Sequence, residues 1–156
     1  MRLNASCLLS VSLVACSSGY QSQQLKVSLV PARGIKLQEE EAGPPTIARF
    51  SSGFELRSVV GSGPALDEGQ LPAALDQVVA GAKLPSLGTL LSSRLGTLPI
   101  GKVARFELRG SGSRTLLYFI PLGRRFLVAR LTQPEREYGL SQPQVELSLS
   151  SLRELP

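Results

Sequence analysis

The chain has 156 residues, and seventeen Lys and Arg stand against twelve Asp and Glu, a formal net charge of +5. It contains no His, no Trp and two Cys, which excludes Ser-His-Asp and Cys-His nucleophile systems and zinc sites built on His or on several Cys. The length allows one domain with a short appendage, and 42% hydrophobic with 19% charged residues suits a packed core rather than disorder.

Residues 1–15 read MRLNASCLLSVSLVA. Arg2 and the N-terminal amine precede an apolar run from Cys7 to Ala15, broken only by Ser10 and Ser12. At about nine residues the run is too short for a transmembrane helix and has the proportions of a secretory signal. It ends in Leu13-Val14-Ala15-Cys16. This tetrad resembles the bacterial lipobox. The resemblance implies that Leu13 and Ala15 fit the processing peptidase, that cleavage falls before Cys16, and that Cys16 carries the lipid. Acyl chains contribute roughly 0.8 kcal/mol per buried methylene, so several of them make attachment stable. The expected protein is therefore exported and anchored in the bacterial cell envelope through its N-terminal lipid. Ser17, where an Asp would signal inner-membrane retention, favours the outer membrane in a diderm cell. Cys7 leaves with the signal and Cys16 is blocked, so no thiol chemistry remains.

Cys16 to Gln24, CSSGYQSQQ, is polar and aperiodic and reads as a flexible tether. A single domain then covers 25–156. Leu25 to Val30 alternates apolar and polar side chains, as a half-buried strand does. Pro31 to Gly34 is a turn, after which Ile35-Lys36-Leu37 pairs back. Glu39-Glu40-Glu41 followed by Gly43-Pro44-Pro45 reads as a solvated loop, because no further oxygen ligands at fixed spacing support a metal site. Thr46 to Phe50 and Phe54 to Val60 are two more strands.

Asp67 caps a helix on which Leu71, Ala74, Leu75, Val78, Val79 and Ala82 form one apolar face. Leu87, Leu90, Leu91 and Leu95, with Gly96 behind them, predict a second, shorter helix. Three strands follow as an antiparallel meander: Ala104 to Arg109, Arg114 to Ile120 and Arg125 to Leu131. Turns at Gly110–Ser113 and Pro121–Gly123 separate them. In the first strand Arg105, Glu107 and Arg109 alternate with Ala104, Phe106 and Leu108, which predicts one wet face. A last helix opens at Ser141, with Gln144 completing a capping box and Arg153 in its last turn.

The expected fold is α+β, an antiparallel sheet covered by helices. This order resembles the PsbP/DcrB-like fold over residues 46–155, through the aromatic and basic meander from Phe106 to Leu131 and the ending Ser151-Leu152-Arg153. The resemblance implies a binding or assembly role and carries no catalytic residues across.

No motif in the chain specifies a cofactor, a metal or a catalytic residue. Glu135 and Glu137 share a loop, which does not supply the facing carboxylates of a glycosidase. Gly110-Ser111-Gly112-Ser113-Arg114 lacks the phosphate-loop pattern and leads into a strand. From Lys102 to Glu137, eight basic residues meet three acidic ones, a local net of +5. Arg105, Arg109, Arg124 and Arg125 are the candidate contact patch for anionic headgroups or an acidic partner. Nucleic acid is not expected, since no stacking aromatics interleave with the basic residues on the wet face. The expected function is a non-enzymatic binding or assembly module for a protein or envelope partner. The alternative is a small-ligand carrier or histidine-free hydrolase with a pocket between sheet and helices.

Overall fold

A computed structural model describes residues 19–156; Leu13, Ala15 and Cys16 lie outside them. The meander predicted from alternation is present as β7 (Gly101–Arg109), β8 (Ser113–Pro121) and β9 (Arg125–Pro134). A second antiparallel set, β3 (Leu37–Glu41), β4 (Thr46–Phe50) and β5 (Phe54–Val60), joins it where β5 pairs β9. With β6 (Thr89–Leu98) on β7, the sheet has seven strands in the order β3-β4-β5-β9-β8-β7-β6.

Alternation sorts the apolar side chains to two cores. On β8, Leu116, Tyr118 and Ile120 face one way and Leu117 and Phe119 the other, and all are buried. Because both faces of β8 are covered, its apolar run is nearly continuous. Helix α1 (Leu71–Gly81) crosses one face on the way from central β5 to edge β6, seating Leu71, Leu75 and Val78 on Phe106, Phe119 and Phe126. The opposite face is covered by helix α2 (Glu135–Leu149) and by a three-stranded sheet of β1 (Tyr20–Ser22), β2 (Val27–Leu29) and β10 (Arg153–Glu154). Full burial of a Leu or Phe side chain contributes roughly 1.5–3 kcal/mol, so these two layers hold the sheet.

Several expectations change. The tether does not extend to residue 24: Tyr20 to Ser22 pair with β2, and Tyr20 is buried against Phe50. Glu39 to Glu41 form an edge strand rather than a loop, because Arg49 binds Glu39 and Glu41 while Tyr20 and Ser22 donate to Glu40. The helix predicted over Leu87 to Leu95 is strand β6. A bulge between Leu90 and Ser92 adds one residue to that strand. The bulge breaks the strict alternation of the strand, and the spacings of three and four among Leu87, Leu90, Leu91 and Leu95 imitate a helical stripe. The last helix starts at Glu135, with Glu135 and Glu137 favourably placed in its first turn. Ser141 and Pro143 lie inside the helix, and Arg153 lies in β10.

Candidate functional site

Strand alternation turns Arg105, Glu107 and Arg109 of β7 toward the α2 side of the sheet, opposite Phe106 and Leu108. Arg114 and Tyr118 of β8 point the same way, since they alternate with Thr115, Leu117 and Phe119. Helix α2 lays Glu135, Tyr138, Gln142 and Glu146, one residue per turn, along the same seam. The result is a continuous ion-pair network between helix and sheet. Arg105 Nε donates to Glu146 Oε1 at 2.6 Å, and its Nη2 donates to Glu107 at 2.5 Å. Arg114 spans Glu107 at 3.1 Å and Glu135 at 3.2 Å, and Arg109 reaches the same Glu135 oxygen at 3.2 Å. The Tyr118 hydroxyl donates to Glu146 at 2.7 Å, and the Arg114 guanidinium stacks 5.1 Å from the Tyr138 ring centroid.

Electrostatics follows from this geometry. Burial acts to raise the Glu146 carboxyl, but the hydrogen bonds from Tyr118 and Arg105 win and hold it below its ordinary value. Burial acts to lower Arg105, and its bonds to Glu146 and Glu107 more than offset that. Burial, reinforced by Glu146, raises the Tyr118 hydroxyl. Burial pushes Tyr138 up to about 12. Glu146 therefore stays an anion at neutral pH, and the network fixes charges in place rather than offering a proton for transfer.

The four arginines of the predicted patch do not form one surface. Arg105 is enclosed, with its side chain 10% exposed, because α2 covers the face that alternation marked as wet. Arg109 is exposed and paired with Glu135. Arg124 and Arg125 sit at the other end of β8, roughly 25 Å from Arg109 at about 3.3 Å per residue, since successive hairpin turns lie at opposite ends of a strand. Arg125 ties the small sheet to the large one through the Leu25 carbonyl, Ser58 and Glu154. Arg124 is exposed.

A second polar cluster, on the α1 side, was not anticipated. Glu55 is buried and pairs with Arg57 at 2.9 Å and Arg130 at 3.2 Å. Arg57 Nη1 also donates to the Ala82 carbonyl at 2.7 Å, where a cation complements the C-terminal end of α1. Strand β6 was missed as well, although the Pro99–Gly101 turn just before the meander is a hairpin signal. Among the described residues it is the one long element left open: from Thr89 to Leu98 every residue is exposed or half-buried. Clefts of about 240 Å³ and about 280 Å³ border it, the first near Arg94, Arg105 and Tyr118, the second near Leu66, Leu95 and Lys102. Between the sheet and each helix, by contrast, the space is filled by the two cores.

No family model matches the sequence, and no curated protein matches it. Solved structures do. The solution structure of cyanobacterial PsbP from Synechocystis sp. PCC 6803 superposes with a TM-score of 0.59 at 11% identity, covering 94% of this chain and 98% of that one. The fold is PsbP-like. The crystal structure of a Pseudomonas aeruginosa protein of unknown function, PA94, gives a TM-score of 0.49 at 13% identity over 89% of this chain and 97% of that one. Within the PsbP-like sheet, the helix-covered faces are closed by packing and ion pairs, and the β6 edge is open.

Proposed function

We propose that the protein is a non-catalytic binding module of the bacterial cell envelope, anchored by lipid on Cys16 and recognising a protein partner. The observation that carries the binding role is the exposed ten-residue edge strand β6 with a cleft on each side. The Leu13-Val14-Ala15-Cys16 tetrad supports the anchor, and Ser17 supports the outer membrane as its place in a diderm cell.

Anchor and edge have a simple spatial relation under this reading. Tyr20 is already seated in the core, so the chain from Cys16 to Tyr20 reaches at most about 14 Å at 3.3–3.6 Å per residue. The lipid would hold the β1 and β3 side of the body close to the headgroups. Strand β6 lies six strand spacings from β3, about 29 Å at roughly 4.8 Å each, and would face away toward partners.

Membrane fractionation of wild type and Cys16→Ser, with a labelled fatty acid fed to the cells, tests the anchor. The expected result is label on the wild type only and release of the variant into the soluble fraction. A variant that stays tightly bound to the membrane, or a wild type without label, rejects it.

A further inference from the structure

Strands β3 and β6 end the same sheet and are built differently. β3 is five residues long and carries three glutamates, which Arg49, Tyr20 and Ser22 engage. Charge of this kind blunts an edge against further pairing. β6 has ten residues, no Asp, Glu or Pro, and pairs only with β7. Among the described residues, its outward N–H and C=O groups form an unpaired row. The bulge between Leu90 and Ser92 falls near its start, leaving Ser92 to Leu98 in regular register with β7.

The side chains beside this row carry a directional charge. Arg94 stands directly opposite Arg105 in register, a like-charge pair that disfavours itself. Arg105 is already taken by Glu107 and Glu146. Arg94 is exposed and, among the described residues, holds no ion pair. On the opposite face Leu95 pairs with Ala104 and Thr97 with Lys102, so Leu95, Leu66 and the Lys102 ammonium share the second cleft. An incoming strand would alternate its side chains between these two faces.

We infer that β6 binds an extended, acidic segment of a partner protein by strand addition. Backbone hydrogen bonds to the open edge supply the affinity, and alternate side chains supply the selectivity. Carboxylates on one face meet Arg94, and apolar side chains on the other enter the Leu66–Leu95 cleft beside Lys102. This rests on the binding-module reading and gives the partner its chemistry.

The test uses the full chain purified in detergent and a fluorescent peptide as long as β6 with alternating Glu and Val. The expected result is saturable binding by anisotropy, weakened about tenfold by Arg94→Glu, as for a charge pair reversed at an interface. Methylating the backbone nitrogens on the hydrogen-bonding edge of the peptide should remove binding. Arg94→Ala and Lys102→Glu give smaller losses, and unchanged circular dichroism melting shows that all three variants fold. Equal binding of a Lys–Val peptide, indifference to N-methylation, or no saturable binding overturns the proposal. Self-cross-linking at Leu95 that the peptide does not displace also overturns it, in favour of a second copy as occupant. A photo-cross-linker at Leu95 and another at exposed Leu140, used in cells, separate the two readings. Partner adducts at Leu140 alone reject the β6 site and leave the binding module standing, whereas adducts at neither position reject the module.

Discussion

The guanidinium of Arg105 on β7 donates to the carboxylate of Glu146 on α2 at 2.6 Å, joining residues 41 positions apart. Tyr118 donates to the same oxygen at 2.7 Å, so one carboxylate atom receives a cation from β7 and a hydroxyl from β8. The helix is thereby fixed in both position and rotation on the sheet.

Truncating that carboxylate leaves Arg105 enclosed without one of its two anions. Glu146→Ala should cost about 3 kcal/mol, the low end for breaking a buried pair, because Glu146 itself keeps some solvent contact. Replacing both partners with apolar residues, Arg105→Met with Glu146→Leu, should restore most of the loss. Urea denaturation of the three variants measures both effects, and a double variant as unstable as the single one would contradict the account.

Acid should undo the same contact. Glu146 is held below its ordinary carboxyl value because its hydrogen bonds from Tyr118 and Arg105 outweigh burial. A group depressed in the folded state contributes fully above its unfolded value, and that contribution is lost as pH falls through the folded one. The stability gap between wild type and Glu146→Gln should therefore be wide at neutral pH and close on acidification. Thermal midpoints recorded across the acidic range would show it.

Alkali acts through Tyr138. Burial, with Glu107 adding to it, moves its hydroxyl from 10.0 to about 12. The folded state thus keeps a proton that the unfolded chain releases, and stability falls as pH rises between those values. Tyr20 and Tyr118 are raised too and work in the same direction. Tyr138→Phe should flatten the alkaline limb without abolishing it. At neutral pH the change should cost little, because the buried Tyr138 hydroxyl has no hydrogen-bond partner among the described residues. Melting curves from neutral to alkaline pH decide this.

Gly88 sets the start of β6. Its φ is +90°, and a Cβ there would collide with the Arg109 carbonyl at the end of β7. Gly88→Ala should cost about 2 kcal/mol or more, combining backbone strain with a clash. Gly123→Ala, at φ +77° with open space around it, should show the strain alone, about 1 kcal/mol. Equal losses in denaturation would mean that the close approach of Gly88 to β7 is not a constraint.

Arg125 links the small sheet to the large one through the Leu25 carbonyl at 2.5 Å and Glu154 at 3.2 Å. Arg125→Ala should lower hydrogen-exchange protection in β1, β2 and β10 while the amides of β8 stay protected, since local opening follows local contacts. Loss of protection throughout the large sheet would contradict a local role.

Local pattern made much of this fold legible. The alternation in β7, β8 and β9 and the apolar stripe of α1 follow from one-dimensional periods of two and 3.6 residues, and each appears where it was predicted. β6 did not, because a bulge interrupts its alternation while Leu87, Leu90, Leu91 and Leu95, spaced by three and four, imitate a helical stripe. α2 starts at Glu135 rather than Ser141 because Glu135 and Glu137 favour a helix first turn, whereas Ser141 and Gln144 only share the spacing of a capping box. The arginine patch failed for another reason: alternation shows which residues share a face of a strand, but not whether a helix covers that face.

The sequence alone determined the alternating strands of the meander, the α1 stripe, the exclusion of histidine chemistry and the positive charge of the meander, all of which depend on residue type and near-neighbour spacing. Only the tertiary structure decided that Arg105 is enclosed by Glu146, that Glu39 to Glu41 blunt one edge, and that β6 is left open at the other. Those outcomes depend on contacts between segments tens of residues apart, where burial and pairing override local preference.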